Sequence, residues 1–364
     1  MIDLELSEEQ KMIQDSVGAF ADERIRPAAR DADESSAIPA PLVEQAWELG
    51  IVQSAVPEEY GGYGHGEASR SALTGSIIAE AMAEGDLAIA LHILCPRLIV
   101  DAVVRLGSEE QKRRILPDYC GTSFVAGSAA LIEPAWNFDL GTMATRARRE
   151  GDDWVIDGNK CFVALADEAP RMLVYARDED DRTGAFIVEA GQDGLVVGAR
   201  EKHMGIRALK TFAVSFESMR VPANARLDGD AAALIRRSRV AQSAMAVGVA
   251  KASLDYSLEY AKEREAFGSK IAQKQAIAFM LAEMAIEVDA ARLLNWEAAW
   301  CLDTGQDGTR ETAIARRYAA DTVMSVSDNG VQVLGGHGFV RDHPVELWTR
   351  NGRGFATFEA LASL

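Results

Sequence analysis

Cysteine is scarce in this 364-residue chain, and the four that occur, Cys95, Cys120, Cys161 and Cys301, are far apart and form no C-x-x-C pair. Neither a zinc ribbon nor a disulfide framework is signalled, and a reduced, cytoplasmic setting is the expectation. Only five histidines occur, with no H-E-x-x-H geometry among them, so no metal is expected. Basic residues are in deficit: 38 Lys and Arg face 56 Asp and Glu, a formal charge of −18. Such a surface repels phosphate backbones and anionic lipid heads, so nucleic acid and membrane surfaces are not expected partners. Long hydrophobic runs are missing too. No uncharged stretch approaches the ~20 residues of a membrane helix, and the first ten residues, MIDLELSEEQ, lack the basic-then-apolar order of a secretory leader. No G-x-G-x-x-G follows a strand-like run, and no G-x-S-x-G elbow is present, which argues against a parallel dinucleotide-binding sheet and an α/β-hydrolase nucleophile.

What is present suggests two or three packed units, because the 48% of hydrophobic residues are spread along the whole chain. Residues 1–119 read as a helical domain. Ser7 and Gln10 make a capping-box start, and Met12, Ile13, Val17, Phe20 and Ala21 recur on one helical face. Pro27, Pro39 and Pro41 are expected to break the chain before a second amphipathic run at 42–49. A loop with four glycines spans 57–66, and 71–106 is again apolar at helical spacing, interrupted at Gly85 and Pro96. Residues 120–228 read as a β domain, with short apolar runs at 124–126, 144–147, 154–156, 173–175, 185–188, 195–197 and 212–216 between turn sequences such as EGDD and GQDG. Residues 229–364 read as a helical bundle. Proline is absent from 223 to 343, and Ala, Leu, Glu, Met and Arg dominate, predicting long helices at 231–264, 273–304 and 309–334 with breaks at Gly268, Gly305 and Gly308. The fold class is α+β: helical, then β, then helical bundle.

Seven short segments carry further information through their order: Pro57-Glu-Glu-Tyr-Gly-Gly62, Leu131-Ile-Glu-Pro134 ahead of Asp139, Met204-Gly-Ile-Arg207, Arg220-Val-Pro222, Arg264-Glu-Ala-Phe-Gly268, Gln332-Val-Leu-Gly-Gly-His-Gly338 and Phe358-Glu359. In this order and spacing they resemble the acyl-CoA dehydrogenases over essentially the whole chain. The resemblance implies an N-terminal helical domain, a central β domain and a C-terminal four-helix bundle, usually assembled as a tetramer. It also implies removal of a proton α to an acyl-CoA thioester with hydride transfer from the β carbon to FAD, since no protein side chain accepts hydride. By resemblance the base is Glu359, the alternative being a solvated glutamate in a frayed terminus. Arg264, Phe267 and Gln275, with Gln332, Gly335 and Gly336, resemble residues that hold the adenine half of a neighbouring subunit's FAD. Arg239 matches an arginine at the CoA and acyl end of the site, or else belongs to a solvated basic edge, Arg236 to Arg239. Leu87 to Leu98 correspond to the acyl pocket; Arg97 either meets a carboxylate on the acyl chain or is an exposed helix-end arginine. The electron acceptor implied is electron-transferring flavoprotein.

Departures from the family pattern fall around the flavin ring. Ile132 stands where threonine bonds the pyrimidine, Asn137-Phe138 replace Gly-Ser, Phe162-Val163-Ala164 replace W-[IV]-[ST], and Ala360-Leu361 replace Gly-Thr. Each net hydrogen bond lost is worth about 0.5–1.5 kcal/mol. Intact adenine-side motifs beside eroded ring-side ones leave a second reading open: a half-site or non-catalytic subunit of a hetero-oligomeric dehydrogenase, a heterotetramer with a related subunit rather than a homotetramer.

Overall fold

The computed structural model describes residues 5–66 and 68–364; the first four residues of the N-terminal stretch read above lie outside them. The capping box forms as expected: Gln10 N–H donates to Ser7 Oγ at 3.2 Å and Ser7 N–H to Gln10 Oε1 at 3.0 Å, starting α1 (Glu8–Phe20). Pro27 does not break the chain, contrary to the sequence expectation. A π turn, Ala21–Ile25, widens the ladder so that Arg26 N–H reaches Ala21 O, and Pro27 then enters the first turn of α2 (Arg26–Ser35), where its missing N–H costs no helical bond. After α3 (Ala40–Trp47) come α4 (Ala72–Gly85), α5 (Leu87–Leu94), α6 (Pro96–Leu106) and α7 (Glu109–Ile115). Gly85 and Pro96 punctuate this series as read from the sequence.

The strands are β1 (Ser128–Ala130), β2 (Arg146–Glu150), β3 (Asp153–Ala164), β4 (Arg171–Arg177), β5 (Thr183–Glu189), β6 (Leu195–Arg200) and β7 (Thr211–Pro222). They form one sheet in the order β1-β4-β2-β3-β7-β6, with β5 also on β4; β4 runs parallel to β1 and β2, and the other pairs are antiparallel. Trp154, Ile156, Val174, Phe186, Phe216, Met219 and Val221 fill its own small core. The expected strand at 124–126 is absent. Phe124 is apolar for a different reason: its ring meets Trp47 edge-on at 5.6 Å and stacks on His92 at 5.2 Å, tying this coil to the N-terminal helices.

The C-terminal part comprises α8 (Ala231–Glu263), a two-residue-strand hairpin (β8, Glu265–Ala266; β9, Ser269–Lys270), α9 (Gln275–Asp303), α10 (Thr309–Leu334) and a short α11 (Val345–Gly352). α4 packs so closely on α8 that a Cβ at Gly248 would lie 2.2 Å from Glu80 O. Arg292 of α9 pairs with the buried Glu80 at 2.8 Å, and the Asp303 carboxylate at the end of α9 accepts from Ala72 N–H (2.5 Å), Leu73 N–H (3.1 Å) and Ser71 Oγ (2.7 Å), capping α4. Among the described residues no single helix is long and apolar enough to cross a membrane; α5 and α6 qualify only as a pair, bent by 41°, and both lie in the core.

Candidate active site

The chain leaves α11 through a tight turn, Arg353–Ala356, and delivers Glu359 between buried neighbours, Phe358 and Ala360. The frayed-terminus alternative does not apply: Phe358, Ala360, Leu361 and Ala362 are all at most 4% exposed. Glu359 opens onto a cavity of about 490 Å³ whose walls include Ile132, Pro134, Phe138, Cys161 and Phe162. Its carboxylate pairs with Arg239 Nε at 3.4 Å, and both side chains are about four-fifths buried (20% and 23% exposed). Arg239 is therefore part of this site and not a solvated edge. Its neighbour Arg237 is committed elsewhere, to the buried Asp101 at 3.0 Å.

A bulge in β3 shapes the opposite wall. The register against β7 shifts between Lys160 and Val163, and Phe162 there has φ +56°, a conformation that costs a side-chain-bearing residue of the order of 1–3 kcal/mol. The ring is thereby turned toward the cavity, stacked on His203 (4.8 Å, 12° between planes) and edge-on to Phe358 (6.2 Å). Phe162 N–H donates to the Glu201 carboxylate at 3.1 Å. Burial opposes charge on Glu201, yet hydrogen bonds from His203, Thr211 and Phe162 hold its carboxyl below the ordinary range.

The loop 131–145 hangs from one buried ion pair. Lys160 Nζ donates to Glu133 at 3.0 Å and to Leu131 O at 2.9 Å, while Glu133 also accepts from Ala144 N–H (2.6 Å), Thr145 N–H (2.8 Å) and Thr145 Oγ (2.6 Å). Burial drives the Lys160 ammonium down to about 8 against the pull of Glu133; the same ammonium and the Thr145 bonds keep Glu133 ionised despite burial. Sequence reading missed this pair. The signal was available: alternation along β3 puts Lys160 on the face of Trp154 and Ile156, and a lysine on an inward face requires an acid.

Family models for the N-terminal, middle and C-terminal domains of acyl-CoA dehydrogenase match residues 7–122, 128–219 and 230–359. The chain belongs to the acyl-CoA dehydrogenase family. It is 34% identical over 365 residues to the Bacillus subtilis (strain 168) protein "Probable acyl-CoA dehydrogenase YngJ", covering 97% of this chain and 94% of that one. It is 31% identical to the mitochondrial short-chain specific acyl-CoA dehydrogenase of Bos taurus, over 99% of this chain and 89% of the relative. The solved butyryl-CoA dehydrogenase of Megasphaera elsdenii superposes with a TM-score of 0.88 at 28% identity, covering 98% of this chain and 96% of that one.

Within this family fold, the residues singled out from the sequence separate into two places. Glu359, Ile132 and Phe162 line the cavity and Arg239 joins them through its pair with Glu359, whereas Ala164 is not among the lining residues: it is 1% exposed, with its carbonyl accepting from Ser128 Oγ at 2.6 Å. Arg264, Phe267, Gln275, Gln332, Gly335 and Gly336 are all exposed and none lines that cavity. Arg264 caps the end of α8, Phe267 lies in the hairpin after it, Gln275 starts α9, and Gln332, Gly335 and Gly336 stand at the end of α10; Tyr260 OH and His337 Nδ1 join the ends of α8 and α10 at 2.8 Å. Gly335 has φ +57°, and a Cβ at Gly335, Gly336 or Gly268 would touch nothing within 4 Å, so this end is open to an incoming group. Arg97 corrects both of its sequence readings. It is 4% exposed, donates to Ile51 O at 3.3 Å, lies under the influence of Asp101, and is driven down to about 10 by burial; it reaches neither solvent nor the cavity.

Proposed function

We propose that this chain catalyses FAD-dependent α,β-dehydrogenation of an acyl-CoA thioester to the 2-enoyl-CoA, with Glu359 as the base. The observation that carries this reading is a carboxylate held at the wall of a 490 Å³ cavity, paired with Arg239 and enclosed by Phe358 and Phe162. A base over an α carbon must be close, oriented and shielded from water; the Arg239 pair orients Glu359 and its four-fifths burial limits its contact with water, which supports this reading. Arg239 Nε, 3.4 Å from the Glu359 carboxylate, keeps it aimed, and its match to the family pattern supports a place at the thioester end of the substrate. FAD, when bound, supplies the hydride acceptor that the chain's own residues cannot.

The residues present fit the cofactor unevenly. Arg264, Gln275 and Gln332 offer exposed donors, and Phe267 (97% exposed) an unburied ring, beside a glycine turn open to close approach, as the phosphates and adenine require. That none of them lines this chain's own cavity supports the reading that they serve a neighbouring subunit's FAD in a tetramer. Ile132 presents only hydrocarbon at the ring side, where a polar edge of the flavin is left without a side-chain partner. Retention of Glu359 in a shielded cavity favours the catalytic subunit over the half-site one, which has no use for a base. Electron-transferring flavoprotein is the proposed acceptor and the cytoplasm the proposed location.

The test is Glu359→Gln, assayed with a panel of acyl-CoA thioesters and an artificial electron acceptor. The expected loss in kcat is the ~10²–10⁴-fold typical of general-base catalysis. Activity within about threefold of the parent places the base elsewhere and overturns the reading.

A further inference from the structure

We propose that Gln242 and Arg316 are positioning residues that hold the backbone on both sides of Glu359, an inference that rests on Glu359 being the base. Glu359 stands on a segment that cannot stay in place by itself. It follows a 3₁₀ turn in which Thr357 and Phe358 N–H both bond to Gly354 O (2.9 and 3.1 Å), and it precedes Ala360, whose φ of +53° is left-handed and strained for a residue with a Cβ. Two buried side chains from two different helices grip this segment. Arg316 of α10, 8% exposed, donates through Nη2 to both Phe355 O and Phe358 O. Gln242 of α8, 1% exposed, is satisfied in one amide orientation: Nε2 donates to Phe358 O at 3.0 Å, while Oε1 accepts from Ala360 N–H and from Ser238 Oγ, each at 2.9 Å.

The peptide groups flanking Glu359 are thus fixed from α8 and α10, and the side chain is fixed from α8 by Arg239, which shares a helix face with Gln242 at i, i+3. Arg316 has little else to do: its Nε has no hydrogen-bond partner and no acidic group among the described residues pairs with it, so a buried cation is spent on two carbonyls of one turn. Burial pushes this guanidinium down while the nearby Glu359 charge supports it. The strained Ala360 shows the same thing from the other side, because a left-handed alanine persists only where its surroundings over-determine it.

The experiment compares Gln242→Met, Arg316→Met and Arg316→Lys in the FAD-loaded enzyme, alone and in the Glu359→Gln background, with amide hydrogen exchange over 353–362 read in parallel. A misplacement near 1 Å costs on the order of 10²-fold, so Gln242→Met and Arg316→Met are expected to lower kcat by about tenfold or more with KM within about threefold. Arg316→Lys should recover part of the loss, and exchange at 355–360 should quicken while the melting temperature stays near the parent's. In the Glu359→Gln background neither methionine variant should lower the residual rate further. Parent-like kcat and exchange in the two methionine variants overturn the proposal, as does an equal proportional loss with Glu359 already removed. Should Arg316→Met not fold, Gln242→Met and Arg316→Lys decide the matter. Full activity in Glu359→Gln alone instead marks failure of the base assignment, and the exchange data then still report whether the segment is clamped.

Discussion

A single hydrocarbon side chain, Ile132, sets the clearest test of cofactor binding in this site. It is 7% exposed and lines the cavity wall, and it can neither donate nor accept. Replacing it with threonine restores one hydroxyl; at about 0.5–1.5 kcal/mol per net hydrogen bond this should tighten FAD by roughly two- to tenfold. Retention of yellow colour through gel filtration, followed by titration of the apoprotein, measures the gain. No gain means that main-chain amides already satisfy the ring edge. At this scale the sequence was informative where chemistry is local and mute where it is not. Glu359 was named by the family resemblance of the run that ends in it, and Lys160, though missed, was within reach of strand alternation. Nothing about Gln242 or Arg316 distinguishes them from other polar helix residues until the fold brings residue 242 against 358 and 360, and residue 316 against 355.

The helices of the C-terminal part were legible almost to the residue: 231–264, 273–304 and 309–334 were expected, and Ala231–Glu263, Gln275–Asp303 and Thr309–Leu334 are found. Composition alone sufficed there, because a stretch of some 120 residues without proline, broken only at glycines, has few alternatives. The two misreadings differ in scale, one resolved by an irregular turn next in the chain and the other by a distant contact. Pro27 was expected to stop a helix, but a π turn absorbed it; the apolar run at 124–126 mimicked a strand while packing on Trp47 and His92. The cap on α4 is likewise non-local, supplied by Asp303 from the end of α9. Asp303→Ala should destabilise the protein by about 1 kcal/mol and Asp303→Asn by less, since the amide keeps an acceptor but loses the charge at the helix N-terminus. Urea midpoints for the two variants check this, and equal midpoints for parent and alanine variant would show that Ser71, which bonds Thr74 N–H at 3.2 Å, caps the helix alone.

For the molecule as a whole, acid sensitivity is built into the contact between the N-terminal helices and the β domain. His92 stacks on Phe124 beside a cavity shared with Glu44, Glu168 and Lys210; burial, with repulsion from Lys210, pushes its imidazole down to about 4. A folded-state value below the unfolded 6.5 means that the unfolded chain takes up the proton first, so stability is present above pH 6.5 and is lost as pH falls toward 4. The loss at pH 5 amounts to at most about 2 kcal/mol. His92→Phe, which keeps the stack, should melt with a smaller difference between pH 7.5 and pH 5 than the parent; an unchanged difference would assign the sensitivity to other groups. A last consequence follows from the proposal that the exposed residues Arg264, Phe267, Gln275, Gln332, Gly335 and Gly336 hold part of a neighbouring subunit's FAD. A cofactor gripped by two chains obeys mass action in protein as well as in FAD, so its apparent affinity is not a constant of the polypeptide. Dilution at fixed FAD should bleach the protein over the concentration range in which scattering shows the subunits parting, and the two transitions should share a midpoint. Storage strength, and not only cofactor supply, then sets how much of this enzyme is loaded.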